Sequence, residues 1–502
     1  MNAKETVDCG ACHCRSRAVS VPLFPEKTYF PSFGYTAGKG GTFMRYRVDM
    51  TVISPSRKEE YAYFEQLSLK AKLLYNAALF RIRQAFTGWG KTDLNDNQKE
   101  VFSELEVMKA AYPHIRIRRV LSYRALDALM RANENPDFFS GLPMQTAQAV
   151  LKEAVTVFKA WLSAVKDHKK DPSRYMGKPR MPKYLKADTH TFTFTNQDAV
   201  FYPVYEDKKA CTGYKGLELK LPWRKERVFL PHLPEGAALR EVKVKPYYGN
   251  FLLILTLEEK DISVSEDRPF MAGIDLGVDN IAAIVSTDLS SRIYKGGVIK
   301  SANRSFNMKR AEAVSILTRS TDKKHVSSRR LQRLSLKRDC FMNDALHKIS
   351  TDIIRYCKEH KVGTIVIGVN KGWKQKVSMG KTNNQNFVQI PHYKLRFMIA
   401  YKAAREGITV IEQEESYTSR ADCTAKDFMP VCGKEEGKPS FSGSRIQRGL
   451  YCTKGGLVVN ADCNGAANIL RKAFPDAWDK VTDFRFLVSP EPAGLKKIGL
   501  VG

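Results

Sequence analysis

Long apolar runs are missing from this 502-residue chain. No stretch of about 18 apolar residues occurs, so no transmembrane helix is expected. The first residues lack an apolar signal core, which argues against a secretory leader. Acidic residues are scarce: 53 Asp and Glu stand against 82 Lys and Arg, a formal net charge of +29. That surplus exceeds ordinary surface balance and points to a polyanion partner, nucleic acid before membrane. The 10 cysteines are scattered, so reduced thiols are expected rather than a disulfide framework. The setting they imply is cytoplasmic, or nuclear in a eukaryote. No repeat of fixed period is visible. The apolar fraction that is present, 43%, suits a globular chain of two to four domains.

Taken in order, residues 1–42 are irregular. Cys9, Cys12 and Cys14 with His13 have the density of a metal clip, yet nothing around them reads as a folded zinc ribbon. Residues 43–53 alternate like a strand. From about 57 to 166 the spacing is helical, with a segment over 144–165 and a basic amphipathic helix expected over 115–132. Residues 166–186 are a basic connector punctuated by Pro and Gly. Strand-like runs follow at 189–195, 217–221, 227–230, 242–246 and 251–257. This gives a β-rich unit (43–56 and 187–262) enclosing a helical unit (57–186). A boundary at 263–268 precedes a third domain to residue 472, with a long basic helical piece over 301–360, and a tail over 473–502.

Residues 270–286 organise that third domain. An apolar run ends at Asp275, Gly277 follows, then a polar turn (Asp279, Asn280) and a second apolar run. An ionised Asp is costly in a sheet core but tolerable at a strand end, where it can hold a metal. Gly277 is expected to leave that end open to a phosphate or cation. Taken alone, Asp-Leu-Gly reads as well as an acid that starts a turn. Further on, a helix over 391–406 leads through Gly407 to a strand running into Glu412, Glu414 and Glu415. Asp462 lies in the first turn of a closing helix, on one face with Ala466 and Ile469. The order of three strands, then helix-linked strands and a closing helix, is the RNase H-like arrangement. A row of three carboxylates on one edge repels unless divalent cations neutralise it. Two Mg²⁺ ions held by such acids serve attack of water on a phosphodiester.

The stretches GIDLGVDNIAAIV, IVIGVNKGWKQ with NNQNFVQIP, EQEESYTSR and RGLYCTKGGLVVNADCNGAANILRK closely resemble the RuvC nuclease domain of the TnpB family. These are compact RNA-guided DNA endonucleases of bacterial transposons, with miniature type V CRISPR effectors and the eukaryotic Fanzor proteins as relatives. The resemblance spans about 270–472 and is looser over 43–260. It implies an α/β multidomain chain: a C-terminal RNase H-like (RuvC) domain plus an N-terminal β-barrel-like wedge domain with a helical recognition insert. It also implies Asp275 as first and Asp462 as last catalytic acid. The usual family glutamate follows the strand at 363–368, where this chain has Gly368, Val369 and Asn370. One branch places it instead in the stretch reading Gln413-Glu414-Glu415-Ser416, which implies Glu415 with Glu414 close behind. Asp275, Glu415 and Asp462 are the implied metal ligands, for two Mg²⁺. Cys423, Cys432, Cys452 and Cys463 lack the paired spacing of the family's zinc ribbon, so zinc is not expected.

The implied partners are a guide RNA and target DNA, with the chain a monomer or a dimer and no membrane. Candidate nucleic-acid contacts are Arg116, Arg118 and Arg119, Lys178 and Arg180, Arg329, Arg330 and Arg333, Trp373 and Lys374, Gln385 and Asn386, and Arg445 and Arg448. Two other readings stay open. The missing acid at 368–370 is compatible with an RNA-guided DNA-binding repressor with a disabled nuclease. A DNA-strand transposase of the same fold needs no RNA.

Overall fold

In the computed structural model, residues 45–139, 141–207, 209–259, 267–319, 326–369, 390–431, 439–493 and 499 are described. Cys9, Cys12, Cys14, Trp373, Lys374, Gln385, Asn386 and Cys432 lie outside them. The chain divides into two compact units, Met1–Lys260 and Asp261–Gly502. Among the described residues no helix is long and apolar enough to cross a membrane.

The first unit opens on strand β1 (Arg45–Ile53) and continues with helices α1 (Lys58–Gly88), α2 (Asp96–Ala111), α3 (Tyr123–Ala132), α4 (Pro136–Phe139) and α5 (Met144–Lys170). Capping sets several of these starts: Asn95 and Gln98 form a reciprocal capping box on α2. The expected helix over 115–132 begins only at Tyr123, where the Ser122 side chain accepts from the Ala125 amide at 3.1 Å. The preceding stretch alternates, with Arg116 and Arg118 exposed and Ile115 and Ile117 half-buried. That is the period of extended chain, so the helical spacing belongs only to the residues from Tyr123 on. The expected connector at 166–186 likewise gives its first five residues to α5.

Strands β2 (Phe192–Thr195), β3 (Val200–Asp207), β4 (Thr212–Lys220), β5 (Val228–Leu230), β6 (Ala238–Tyr247) and β7 (Asn250–Glu259) complete the unit. They form one sheet in the order β1-β7-β6-β2 and another in the order β3-β4-β5. Leu217, Leu219, Val228 and Leu230 on the inner face of the second sheet join one core with Phe64, Leu74, Phe158 and Phe194. Their alternation with Glu218 and exposed Phe229 leaves that sheet's other face open.

The second unit is built on a six-stranded sheet. Strands β8 (Phe270–Asp275), β9 (Asn280–Ser286) and β10 (Ser290–Lys295) meander, followed by helices α6 (Gly297–Thr318) and α7 (Arg329–Glu359). Strand β11 (Val362–Val369), helix α8 (His392–Arg405) and strand β12 (Thr409–Glu414) add the parallel edge. The third strand stops at Lys295, and the basic helical piece over 301–360 is two helices rather than one. Strands β13 (Ser444–Gln447), β14 (Leu450–Cys452) and β15 (Val458–Asn460) make a small sheet that leads into helix α9 (Ala461–Ala473). Beyond the expected domain end, strand β16 (Glu491–Pro492) pairs with β10, and the Trp478 indole donates to the Ala467 carbonyl at 3.0 Å. The order β12-β11-β8-β9-β10-β16, with β11 parallel to both β8 and β12, is that of an RNase H-like sheet.

Alternation sorts the sheet's side chains. Ala272, Ile274, Ile365 and Ile367 share a core with Leu346, Ile349, Leu395 and Ile399 of α7 and α8. Val366, Ala283 and Val285 pack with Ala466, Ala467, Ile469 and Leu470 of α9. Gly273 lies at the closest approach on this second side. A Cβ there would stand 2.1 Å from the Ala466 carbonyl oxygen, so helix and strand meet almost backbone to backbone.

Candidate active site

The carboxyl end of β8 and the amino end of α9 meet because of that tight crossing. Asp275 is the last residue of β8 and, two residues on from Gly273, points to the α9 side. Asp462 stands in the first turn of α9, whose start is capped by Asn460 accepting from the Asp462 and Cys463 amides at 3.0 and 3.2 Å. Gly465, one turn on from Asp462, clears space: a Cβ there would lie 2.7 Å from Asp275 Oδ2. Asn280 Nδ2 donates to Asp462 Oδ2 at 2.6 Å and fixes that carboxylate.

Glu415 follows β12, the neighbour of β11. A Cβ at Gly368 of β11 would stand 2.7 Å from Glu415 Oε2. A side chain at Gly368 would therefore crowd the Glu415 carboxylate. The loop after Glu415 is stitched to α9 by two buried amides. Asn468 Nδ2 donates to the Thr418 and Ala421 carbonyls at 2.9 and 2.7 Å, and Asn464 Nδ2 donates to Ala421 at 2.8 Å. Thr418 in turn donates its hydroxyl to the Glu415 carbonyl at 2.9 Å.

Glu414 and Glu415 differ sharply. Glu414 accepts from Lys472 Nζ at 2.7 Å, from the Ser416 amide at 2.7 Å and from the Ser416 hydroxyl. Burial pushes its carboxyl upward, but the Lys472 and Ser416 donors outweigh that and hold it below the usual range. Burial, with the Glu414 charge added, raises Glu415 to about 7. Asp275 is raised well above an ordinary aspartate, first by burial, then by the Asp462 and Glu415 charges, against a smaller opposing effect of Arg445. Among the described residues no hydrogen bond or ion pair reaches the carboxylates of Asp275 or Glu415.

Asp275 thus couples to Asp462 and Glu415, while Glu414, tied to Lys472, acts on Glu415 only through its charge. Among the described residues no three His, Cys, Asp or Glu side chains stand close enough together to hold a metal ion as they are. The donor set nevertheless suits a hard divalent cation: only oxygen ligands, with Asp275 and Glu415 making no hydrogen bond or ion pair among the described residues and the Arg445, Arg396 and Lys472 charges too weak to keep them from being raised. Gly277, expected to hold this end open, serves the turn instead. A Cβ there would crowd the Asn280 carbonyl at 2.7 Å, and His392 Nε2 donates to the Gly277 carbonyl at 2.8 Å.

The remaining sequence candidates disperse. Arg448 pairs with Asp279, which Lys300 also reaches at 2.5 Å, and Arg445 Nη2 stands 4.0 Å from Asp462 Oδ1. Both arginines thus border the acids on the strip that carries β13. Arg329, Arg330 and Arg333 are exposed on the first turns of α7, with Arg330 3.1 Å from Glu312. Arg116, Arg118, Lys178 and Arg180 are exposed, while Arg119 stacks over the Phe86 ring at 4.4 Å and donates to the Phe86 carbonyl. Cys423 and Cys463 are buried thiols pushed upward by burial. Sequence reasoning missed Asn280 as a partner of Asp462, Lys472 as the clamp on Glu414, and the spacing roles of Gly368 and Gly465. Only Gly465, one turn after Asp462, left a local signal.

Comparison with known proteins adds the following. A family model described as "Probable transposase" matches residues 255–374, and one described as "Cas12f1-like, TNB domain" matches residues 392–469. The TnpB-like protein ORF457 of Acidianus two-tailed virus is 23% identical over 437 residues, which is 85% of this chain and 86% of that protein. A solved Cas12f1–sgRNA–target DNA complex aligns over 82% of both chains at 14% identity with a TM-score of 0.42. The mini-RNA-guided endonuclease CRISPR-Cas_phi3 aligns over 86% of this chain and 92% of that chain, at 10% identity with a TM-score of 0.39.

Proposed function

The chain is TnpB-like, kin to the RNA-guided nucleases of that name, and from this premise we propose that it is an RNA-guided DNA endonuclease. Cleavage takes place in the cleft at the ends of β8, β12 and α9. The observation that carries the reading is the convergence of Asp275, Glu415 and Asp462, the first and second of which make no hydrogen bond or ion pair among the described residues. Asp275, Glu415 and Asp462 would hold divalent cations, two Mg²⁺ by expectation. When bound, these supply charge neutralisation at the scissile phosphate and a water of lowered pKa.

The chain's own residues do the rest. Asn280 fixes the Asp462 carboxylate in one rotamer. Lys472 and Ser416 keep Glu414 away from the cluster, so Glu415 is the acid that enters it. Gly368 and Gly465 keep clear the volume beside Glu415 and Asp275. Arg445 and Arg448 meet the phosphates flanking the cut, and the cations of α6 and α7 bind backbone without reading bases. Guide pairing then supplies sequence specificity.

The test is in-vitro cutting of matched DNA by the protein purified with its RNA and Mg²⁺. Asp275→Ala or Asp462→Ala abolishes cutting while bound RNA is retained; undiminished cutting by either variant refutes the assignment. A parent chain that binds matched DNA but never cuts it supports the repressor reading instead.

A further inference from the structure

The β4–β5 turn, residues 221–227, has three features that nothing among the described residues of its unit explains. Trp223 is a bulky residue at φ 57°, in the left-handed region that such side chains rarely occupy. The residue is 66% exposed, so the strain is not offset by burial. Next to it, Arg224 has only 7% of its side chain exposed, yet its Nε and Nη1 find no hydrogen-bond acceptor among the described residues. Its Nη2 stands 3.7 Å from Glu226, itself a largely exposed carboxylate. A buried guanidinium with unmet donors is strongly unfavourable.

The turn is nevertheless firmly built. Tyr63 donates its hydroxyl to the Pro222 carbonyl at 2.9 Å, and the Arg224 guanidinium lies 5.5 Å from the Tyr63 ring centre. A strained, rigid, outward Trp beside a cation in want of an acceptor marks a site waiting for its ligand.

We infer that the β4–β5 turn binds one unpaired nucleotide of a single-stranded nucleic acid, Trp223 stacking on the base and Arg224 taking the adjoining phosphate. Stacking on Trp is tolerant of base identity, and a guanidinium fork matches a phosphate. Bases within a duplex are already stacked, so an isolated exposed ring selects an unpaired one. The outer face of the β3–β5 sheet continues the surface. Tyr202 and half-exposed Phe229 flank Glu218 across three strands, and Arg227 lies 4.0 Å above the Tyr202 ring. Lys225 adds an exposed cation to the turn. RNA and DNA offer the same base and phosphate, and the experiment separates them. The inference does not depend on the nuclease reading.

The test uses the full chain in chelator and measures fluorescence anisotropy of labelled uridine and deoxythymidine oligomers of about 12 nucleotides. Trp223→Ala weakens binding about tenfold, Trp223→Phe keeps most of the affinity, and neither changes the salt slope. Arg224→Gln weakens binding and lowers the salt slope by about 0.7, one single-strand phosphate. Trp223→Gly is the safeguard against misfolding: it relieves the positive φ, so melting temperature rises while affinity falls like that of the Ala variant. Loss on the uridine oligomer alone identifies RNA, and loss on both identifies either strand; each supports the site. Binding within twofold of the parent for both Trp223→Ala and Trp223→Gly overturns it, and so does Phe behaving like Ala. Because no cutting is scored, a failed nuclease assignment leaves these outcomes readable.

Discussion

Glu414 accepts from the Lys472 ammonium and from Ser416, whereas Glu415, one residue on, makes no hydrogen bond to either, is raised by burial and by the Glu414 charge, and adds its own charge to that of Asp462 at Asp275. Substituting each in turn separates a clamped carboxylate from a working one. Glu415→Gln is expected to lose cleavage by roughly two orders of magnitude or more. Glu414→Gln keeps most of the rate and lowers stability by about 1–2 kcal/mol, since Lys472 loses its charged partner and keeps only the Ser416 and Pro430 carbonyls. Cutting rates and urea melts of the two variants check this. The pH dependence follows from the same contrast. Glu415 titrates near 7 in the fold against 4.5 ordinarily, so the folded chain keeps a proton that the unfolded chain has released. The associated stability of the metal-free protein is fully present below about pH 4.5 and is lost as pH rises through about 7. Glu415→Gln flattens that decline. The sequence displayed the glutamate pair but could not choose between them, because the deciding lysine comes 58 residues later.

At the scale of elements, the site depends on how closely α9 lies on β8. Gly273→Ala forces a methyl against the Ala466 carbonyl and is expected to destabilise the protein by about 1–3 kcal/mol. Because the crossing aligns Asp275 with Asp462, cation affinity falls with it. Gly297→Ala is the control: nothing lies within 4 Å of its Cβ, and an alanine in the first turn of α6 suits the helix. Thermal melts and Mn²⁺ titration of both variants test the argument. The strands and helices carrying the acids were legible because each is bounded by a plain signal: Pro391 before α8, Gly407 before β12, an Asn cap before α9. What was not legible had mixed periods or little length. Residues 115–122 borrowed the look of the helix behind them, and β13, β14 and β15 are too short to show alternation. The Trp223 turn left no trace because backbone strain is not written in hydropathy.

For the molecule as a whole, the surplus of 29 positive charges sets the terms of binding. Affinity for non-specific single strands is expected to fall with log salt at a slope near 0.7 per phosphate neutralised, and steeper for duplex. A slope at or below about 1 over the range 50–300 mM salt contradicts a broad cationic surface. Composition alone raises this expectation, and the sequence names the candidate acids, whereas only the fold shows that Asp275 and Asp462, 187 positions apart, lie close enough for one charge to act on the other. Its bare acids have a consequence for timing. A chain that draws polyanions over much of its surface repels them at the single spot meant to act on them. On the reading proposed above, a phosphate would enter the site only once that negative charge had been offset, so a cation would have to arrive before the nucleic acid.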